Sequence, residues 1–309
     1  MGFIGTNLTG KLLDAGMRVT VLTPSRARHE DAAREMEARG VRVAEGDLRQ
    51  PEHVLPVVEG QDFIFHAAGQ SGAVRSMEDP WADLDVNCRG SLVLLEALRA
   101  ANPTAKVVFL GSRLEYGHPV APQVAEDHPL DPLCVYGVHK AAVEQYLALY
   151  AKLFGIRYTV ARVTNPYGPG QPRARTAYGI VNRMIHLALN GEPVIVYGDG
   201  AQRRDYIYVD DVSDALVRLA TTSQTDGRAY NVGTGTGTRL VDMAHAVTRL
   251  AGGGRVQMVP WPALAQQIET GDFVADISRI SGELGWCPSV PLEQGLQQTV
   301  AFYRAHVTS

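Results

Sequence analysis

The chain has 309 residues, of which 45% are hydrophobic and 20% are charged, and its formal net charge is −4 at pH 7. These values are typical of a globular protein with a sizeable core. They give no electrostatic attraction to nucleic acid or anionic lipid, and no apolar run reaches the length of a membrane span.

The first residues, MGFIGTNLTG, read as the second half of a glycine-rich turn that binds phosphate between a strand and a helix. Such a turn offers free backbone N–H groups at the helix N-terminus, so it needs no charged side chain. Because the turn normally follows a buried strand, we expect that strand and its first glycine to precede Met1. The candidate phosphate-binding residues are Gly2, Phe3, Ile4 and Gly5.

Short apolar runs alternate with helical patterns over the first half of the chain. Their near-continuous hydrophobicity fits strands that are buried on both faces. Helical stretches cover 82–101 and 137–154, and Gly155 is expected to end the second. The alternation predicts an α/β fold with a Rossmann-like, doubly wound parallel sheet whose first strand is absent from this sequence. The predicted strands are 17–22, 41–46, 62–68, 106–112 and 156–163.

The pattern changes after Asn165, where the Pro/Gly/Arg-rich loop PYGPGQPRAR is followed by a helix near 178–190 and shorter, irregular elements. We interpret this part as a second, smaller α/β lobe that binds substrate. The predicted dinucleotide-binding domain covers 1–164 plus about 206–232, and the substrate lobe covers 165–205 plus 233–309.

Small and acidic residues follow the predicted strands of the first domain. The carboxylate of Asp47 in GDL could accept from an adenine amino group, while Ala67 and Ala68 in HAAG leave room for a flat ligand. Open α/β sheets bind ligands at these strand ends. The predicted strand 17–22, which would be the second strand of a complete sheet, ends in VLTPSRAR. This segment lacks the acidic residue that usually selects NAD. Arg26 would suit the 2′-phosphate of NADP, but solvated loop arginines are equally common, so the choice between NAD and NADP stays open.

The segment CVYGVHK contains Tyr136 and Lys140, and Ser112 lies 24 residues upstream of the tyrosine at the end of a strand. Residues i and i+4 share one face of a helix, so both side chains are expected to point into one site. A tyrosine acting as general base near pH 7 needs its pKa lowered by about 3 units. We expect the neighbouring ammonium and an oxidised nicotinamide to lower it.

From end to end the chain resembles the extended short-chain dehydrogenase/reductase family, in its nucleotide-sugar epimerase and dehydratase branch. The segments that carry the resemblance are GFIG, GDL, HAAGQSGAVRSMEDP, DLDVNCRGSLVLLEAL, YGVHK, TNPYGPGQ and YGDGAQRRDYIYVDDV.

The resemblance implies roles for individual residues. It makes Ser112, Tyr136 and Lys140 the catalytic residues, with the tyrosine and lysine also at the cofactor. Tyr197 could stack on a base, and Arg204 could bind a pyrophosphate through paired N–H groups. The dinucleotide would contact Asp47, Leu48, Ala67, Ala68 and Asn87, and the nucleoside diphosphate of the substrate would contact Asn165, Tyr197 and Arg204.

The residues after Ser112 restrict the reaction. Dehydratases of the branch carry Asp-Glu there, whereas this chain has Arg113 and Leu114, which cannot act as acids. Glu115 is displaced by one residue and is expected to face the opposite side. We therefore expect a nucleotide-sugar 4-epimerase that keeps NAD(P) tightly bound. An NAD(P)H-dependent 4-ketosugar reductase and a catalytically silent nucleotide-binding protein are the alternatives.

One segment departs from the family pattern. Relatives usually carry an arginine in an RxGD-like segment that helps to neutralise the pyrophosphate, but this chain reads ETGD, with Glu269 in that place. A carboxylate there would repel phosphate unless it faced away. Arg203, Arg173 and Arg175 are the candidates to compensate.

The remaining expectations concern partners, metals and location. Relatives commonly dimerise through two long helices, here 82–101 and 137–154, which predicts a homodimer. The cysteines Cys88, Cys134 and Cys287 have no paired or metal-type spacing, and the nine histidines form no HExxH pattern. We therefore expect no bound metal and a reducing, cytoplasmic location.

Overall fold

The computed structural model describes residues 2–27, 30–171 and 179–307. Eleven strands are assigned within these ranges, and four of the five predicted strands begin one to three residues later than predicted. The strands are β1 (Thr20–Thr23), β2 (Arg42–Glu45), β3 (Phe63–His66), β4 (Lys106–Ser112), β5 (Arg157–Val163), β6 (Asn165–Tyr167), β7 (Pro193–Tyr197), β8 (Arg203–Tyr208), β9 (Arg228–Val232), β10 (Gly237–Arg239) and β11 (Arg255–Val259).

Helices separate most of these strands along the described parts of the chain. The helices are α1 (Phe3–Asp14), α2 (Glu30–Ala38), α3 (Pro51–Val58), α4 (Ala73–Glu78), α5 (Pro80–Asp83), α6 (Gly90–Ala101), α7 (Val135–Phe154), α8 (Ile180–Leu189), α9 (Val209–Thr221), α10 (Leu240–Ala251), α11 (Ala263–Gln267), α12 (Ser278–Leu284) and α13 (Leu292–Val307).

The parallel strands form two groups. Strands β3, β4, β5 and β9 pair in that order, and β1 pairs with β2 separately. Every residue of β4 is buried, as expected for a strand that is covered on both faces. A cavity of about 2070 Å³ lies between the groups and is lined by Val21 of β1 and Phe65 of β3, among others.

A smaller lobe surrounds a separate hydrophobic cluster. Helices α8, α10 and α13 contribute Ile185, Met243 and Leu296, which pack with Val194 of β7 and are all fully buried. The strands of this part form a three-stranded sheet of order β10, β8, β6 and a parallel pair of β11 with β7. The lobe therefore has its own core, which holds the C-terminal end of β6 and β7 beside the large cavity.

The stretch predicted to be helical at 82–101 is helical throughout, but it is not a uniform α-helix. A π-helical turn covers Leu84–Arg89 between α5 and α6. π-Helical turns are rare overall, and those that occur are often found at functional sites. Apolar periodicity in the sequence does not reveal them. In this turn Asn87 donates from Nδ2 to the backbone oxygen of Gln70 at 3.0 Å and to Oδ1 of Asp83 at 2.9 Å.

The second predicted helix is confirmed in its end and begins two residues earlier than predicted. Helix α7 runs from Val135 to Phe154, and Gly155 follows as its C-cap with φ 72°. A positive φ is easily adopted by glycine, and here the Gly155 N–H donates to the oxygen of Ala151. None of the helices within 2–27, 30–171 and 179–307 is both long and apolar enough to cross a membrane.

A buried ion pair connects α7 to the central sheet. Arg162 of β5 donates to Glu144 of α7 from Nε at 2.8 Å and from Nη2 at 2.6 Å. Its Nη1 donates to the Tyr116 hydroxyl at 3.0 Å, and Glu115 lies 3.8 Å from its Nε. All four side chains are buried. Removing the guanidinium would leave carboxylates without their cation in a region of low dielectric constant.

We expect Arg162→Met to lower the free energy of unfolding by about 3 to 5 kcal/mol, because it leaves Glu144 uncompensated in the interior. The measurement is urea denaturation followed by circular dichroism. Arg218→Met is the matched control, since Arg218 pairs with Asp214 on the exposed face of α9 and such pairs contribute less than about 1 kcal/mol. Equal losses in the two variants would contradict the assignment of Arg162 as a buried structural cation.

Candidate active site

Ser112 lies at the carboxyl end of β4 and is held there by a capping box. Its side chain accepts from the Leu114 N–H at 3.2 Å, and its own N–H donates to Oε1 of Glu115 at 2.5 Å. These reciprocal bonds fix the serine at the start of a short 3₁₀ turn, Arg113–Glu115. Ser112 and its two successors line the large cavity, whereas buried Glu115 is not among the lining residues.

Tyr136 and Lys140 lie in the first two turns of α7 and line the same cavity as Ser112. The Tyr136 N–H donates to the hydroxyl of Ser76 at 3.0 Å, which anchors the start of the helix to α4. The Lys140 ammonium donates to the oxygen of Leu110 at 2.8 Å. It lies 4.6 Å from the ring centroid of Phe109 and 5.7 Å from that of Tyr136. The three side chains predicted to be catalytic are thus brought together.

The pKa of Tyr136 is raised rather than lowered by the surrounding protein. Burial is the main cause and the charge of Glu115 adds to it, while the hydrogen bond with Ser112 acts in the opposite direction. Burial lowers the pKa of Lys140, and the charges of Glu115 and Asp83 act in the opposite direction by raising it. In the protein alone, the neighbouring ammonium does not offset the effect of burial on the phenol. The expected lowering of this pKa therefore stays a prediction for the protein with its oxidised nicotinamide bound.

The glycine-rich start of the chain opens into the same cavity. Gly2 is the N-cap of α1, no side chain caps this helix, and a Cβ added at Gly2 or Gly5 would meet no described atom within 4 Å. The free N–H groups of the first turn therefore face open space that a phosphate group could occupy. The predicted cofactor residues that line the cavity are Gly2, Phe3, Ile4, Gly5, Asp47, Leu48, Ala67, Ala68, Tyr136 and Lys140.

The side chains of three predicted cofactor residues form hydrogen bonds with other residues of the protein. Asp47 accepts from Arg49, at 2.6 Å for the shortest contact, which lowers the pKa of Asp47. Arg26 forms two hydrogen bonds of 2.6 Å with Glu37 and is not among the lining residues, so its position gives no support for a 2′-phosphate. Asn87 lies behind the cavity wall, and its buried Oδ1 has no hydrogen-bond partner in the described structure.

The residues predicted to bind substrate line the other end of the cavity. Asn165 donates from Nδ2 to the oxygen of Asp205 at 2.8 Å. The ring of Tyr197 lies 5.4 Å from that of Trp261, a lining residue that sequence reasoning missed. Arg204 forms an ion pair with Glu269, the carboxylate at the position where the family resemblance implies an arginine. The two charges therefore neutralise each other at this wall.

The arginine that follows Ser112 was also missed as a site residue. Arg113 lines the cavity, donates from Nε to Oδ1 of Asn165 at 3.1 Å and from Nη1 to the hydroxyl of Thr270 at 2.9 Å. The only available signal was its place directly after a predicted catalytic residue. Among the residues described, no group of three or more His, Cys, Asp or Glu side chains is placed to hold a metal ion.

The family model for the NAD dependent epimerase/dehydratase family matches residues 1–233. The chain is 32% identical over 305 residues to the UDP-glucose 4-epimerase of Mycolicibacterium smegmatis, covering 98% of this chain and 96% of that protein. It superposes with a TM-score of 0.88 on the crystal structure of the UDP-glucose 4-epimerase of Thermus thermophilus in complex with NAD, at 32% identity and with 98% and 96% of the two chains covered.

The chain therefore belongs to the NAD dependent epimerase/dehydratase family, and the predicted family and Rossmann-like fold class are confirmed. Similarity alone does not single out the reaction within the family. The dTDP-glucose 4,6-dehydratase of Xanthomonas campestris is 29% identical over 337 residues, covering 99% of this chain and 92% of that protein. The choice of reaction thus depends on the residues of the site.

The buried carboxyl group of Glu115 should make the free energy of unfolding depend on pH. Burial and the charge of Glu144 raise the pKa of Glu115 well above its ordinary value of 4.5. A raised folded-state pKa means that the native protein binds this proton more strongly than the unfolded chain does. The stabilisation is complete below about pH 4.5 and is lost as the pH rises through the folded-state pKa.

We expect the free energy of unfolding of Glu115→Gln, relative to the parent protein, to rise with pH above about 4.5, by at most about 1.4 kcal/mol per pH unit. Urea denaturation at a series of pH values measures this difference. Glu45→Gln, at an exposed position of β2, is the control and should give a flat difference. A flat difference for Glu115→Gln as well would contradict the proposed proton affinity.

Proposed function

We propose that the protein is a nucleotide-sugar 4-epimerase that uses tightly bound NAD. One observation carries the choice of reaction: Ser112, Tyr136 and Lys140 line the cavity together with Arg113 and Leu114, whereas Glu115 is buried as a cap. The turn after the serine thus places no carboxylate in the cavity to expel a hydroxyl group. Epimerisation at C4 needs only a base for the 4-hydroxyl and a reversible hydride acceptor.

The residues have distinct roles in this proposal. Tyr136 removes the proton from the 4-hydroxyl and later returns it, and Ser112 holds the same oxygen by a hydrogen bond. Lys140 keeps positive charge beside the phenol, and its charge favours the phenolate. NAD would supply the hydride acceptor and would be held by the N-terminus of α1, by Ala67 and Ala68 and by Lys140. The ion pair of Arg26 with Glu37 favours NAD over NADP, because it occupies the arginine that would suit a 2′-phosphate.

The substrate would be a nucleoside diphosphate sugar bound at the other end of the cavity. Its base would lie at Tyr197 and its diphosphate near Asn165 and Arg204, as the family resemblance implies. The sugar would then extend from the diphosphate site to Tyr136. In this arrangement the hexose lies between the nucleotide site and the catalytic residues. Experiment must identify the nucleotide and the sugar.

The proposal is tested by incubating the purified protein with UDP-glucose, dTDP-glucose and CDP-glucose and following inversion at C4 by NMR. We expect inversion of at least one sugar without net consumption of added cofactor. Stoichiometric oxidation of NADPH with a 4-ketosugar would instead identify a ketosugar reductase. Retained NAD and nucleotide binding without any turnover would identify a silent binding protein.

We expect Tyr136→Phe to lower the inversion rate by about 10² to 10⁴-fold, the usual contribution of a general base, with nucleotide binding unchanged. Tyr158→Phe is the control, since the hydroxyl of Tyr158 donates to the oxygen of Gly227 at 3.5 Å and Tyr158 is not among the cavity-lining residues. An unchanged rate in the Tyr136 variant would overturn the assigned mechanism.

We further propose that the protein forms a homodimer through α7. Leu147 and Tyr150 of α7 are buried in the core against the sheet, as is Leu95 of α6. The exposed apolar residues near the end of α7 are Leu149, Leu153 and Phe154, of which Leu153 is 60% exposed. These side chains lie within one and a half turns and offer a self-complementary patch for a second copy.

We expect Leu153→Glu to convert the dimer into a monomer, because it places a charge in the apolar contact. Sedimentation velocity measures the change. Leu55→Glu introduces the same charge at a partly exposed position of α3 and should leave the association state unaltered. A parent protein that sediments as a monomer would contradict the proposed dimer.

A further inference from the structure

The charges at the substrate end of the cavity do not match the family pattern. Arg204 is the predicted ligand of the diphosphate, but Glu269 forms an ion pair with it and also accepts from the Gly271 N–H at 3.1 Å. A second nitrogen of Arg204 donates to backbone oxygens at Arg203 and Gly271. Most of the donors of this guanidinium are therefore used within the protein, and its charge is neutralised.

Arg113 carries the charge that is not neutralised. Across residues 2–27, 30–171 and 179–307, no carboxylate oxygen forms an ion pair with its guanidinium within 4.0 Å. Its two hydrogen-bond partners, Asn165 and Thr270, are neutral. Burial and the charge of Arg204 lower the pKa of Arg113, and the charge of Glu269 acts in the opposite direction without forming an ion pair with it. Arginine nevertheless stays protonated at neutral pH.

The position of Arg113 is also fixed. Its guanidinium carbon lies 5.6 Å from the ring centroid of Phe273, and the two hydrogen bonds hold the planar group from both sides. A fixed guanidinium with free N–H groups suits an oxyanion, to which it can donate in pairs. Arg113 lines the same cavity as Ser112, Arg204 and Glu269, and the proposed function places the substrate in this cavity.

We propose that Arg113 is the anion-binding residue of the substrate site and supplies the positive charge that the family pattern places at position 269. Of the compensating residues considered from the sequence, Arg203 is exposed, donates to the oxygen of Gly237 and is not among the lining residues. Arg173 and Arg175 lie outside the described residues. This inference rests on the proposed nucleotide-sugar substrate, whose oxyanion is either the diphosphate or a carboxylate on the hexose.

Calorimetric titration distinguishes these sources. The nucleotide that binds in the panel above is used as the diphosphate, as the diphosphoglucose and as the diphosphoglucuronate, with NAD present. If Arg113 binds the diphosphate, Arg113→Gln should weaken all three by about 10 to 100-fold, as expected for the loss of charged hydrogen bonds. If it binds a sugar carboxylate, only the glucuronate should weaken to that extent.

Arg203→Gln is the matched control, since it removes the same charge from the neighbouring exposed surface and should change no affinity by more than about twofold. Glu269→Gln provides an independent readout if the Arg113 variant does not fold. Releasing Arg204 should tighten binding of the diphosphate several-fold, by about the amount of one added charge contact. Unchanged affinities for all three ligands in Arg113→Gln, or in Glu269→Gln if only that variant folds, would overturn the inference. If the parent protein showed no C4 inversion while Arg113→Gln still weakened ligand binding as expected, only the proposed reaction would be overturned.

Discussion

The site depends on the carboxylate of Glu115, which fixes the end of the central strand. It accepts the N–H of Ser112 at 2.5 Å and lies within 3.8 Å of Arg162, which in turn binds Glu144 of α7. Ser112 and the helix that carries Tyr136 and Lys140 are therefore connected through one buried set of charges. Because fully buried ion pairs tolerate little displacement, the distance between the serine and the phenol is set by the core rather than by a loop.

Burial and the same carboxylate together set the resting electrostatics of the site. Burial is the main cause of the raised pKa of Tyr136, and the charge of Glu115 adds to it. Burial lowers the pKa of Lys140, and the charge of Glu115 opposes that effect. Without ligands the phenol is consequently neutral, and no reactive base is present at the end of β4. A bound cationic group beside the phenol would reverse this balance, since opposite charges favour the ionised form. In the proposed mechanism, formation of the base would therefore depend on ligands that fill the cavity.

Much of the fold follows from local pattern. The bounds of β4 match the prediction residue for residue, and α7 ends at Gly155 as its left-handed cap requires. Tyr136 and Lys140 share a face because helical spacing is a local property. The π-turn that holds Asn87 was not predicted, since a single turn of six residues is too short for its different hydrophobic period to show in the sequence.

The substrate wall was harder to predict because its pairs are distant in sequence. Arg204 and Glu269 are 65 residues apart, and Arg113 and Asn165 are 52 residues apart. No spacing rule relates such positions, so an unfavourable charge at 269 could be recognised from the sequence but its partner could not. The side chain of Arg113 was equally invisible, since the rules for strand ends describe the backbone and not the direction of a long side chain.

The place of Arg113 in the chain has a consequence for specificity. It belongs to the short turn that Ser112 begins and Glu115 closes, so the group that would read the anion and the group that would hold the reacting oxygen share one rigid element. A substrate whose anion does not reach the guanidinium would pull on the same turn that positions Ser112. Discrimination would then appear in the rate as well as in the affinity, because misplacement by a fraction of an ångström disturbs the hydrogen bond between Ser112 and Tyr136.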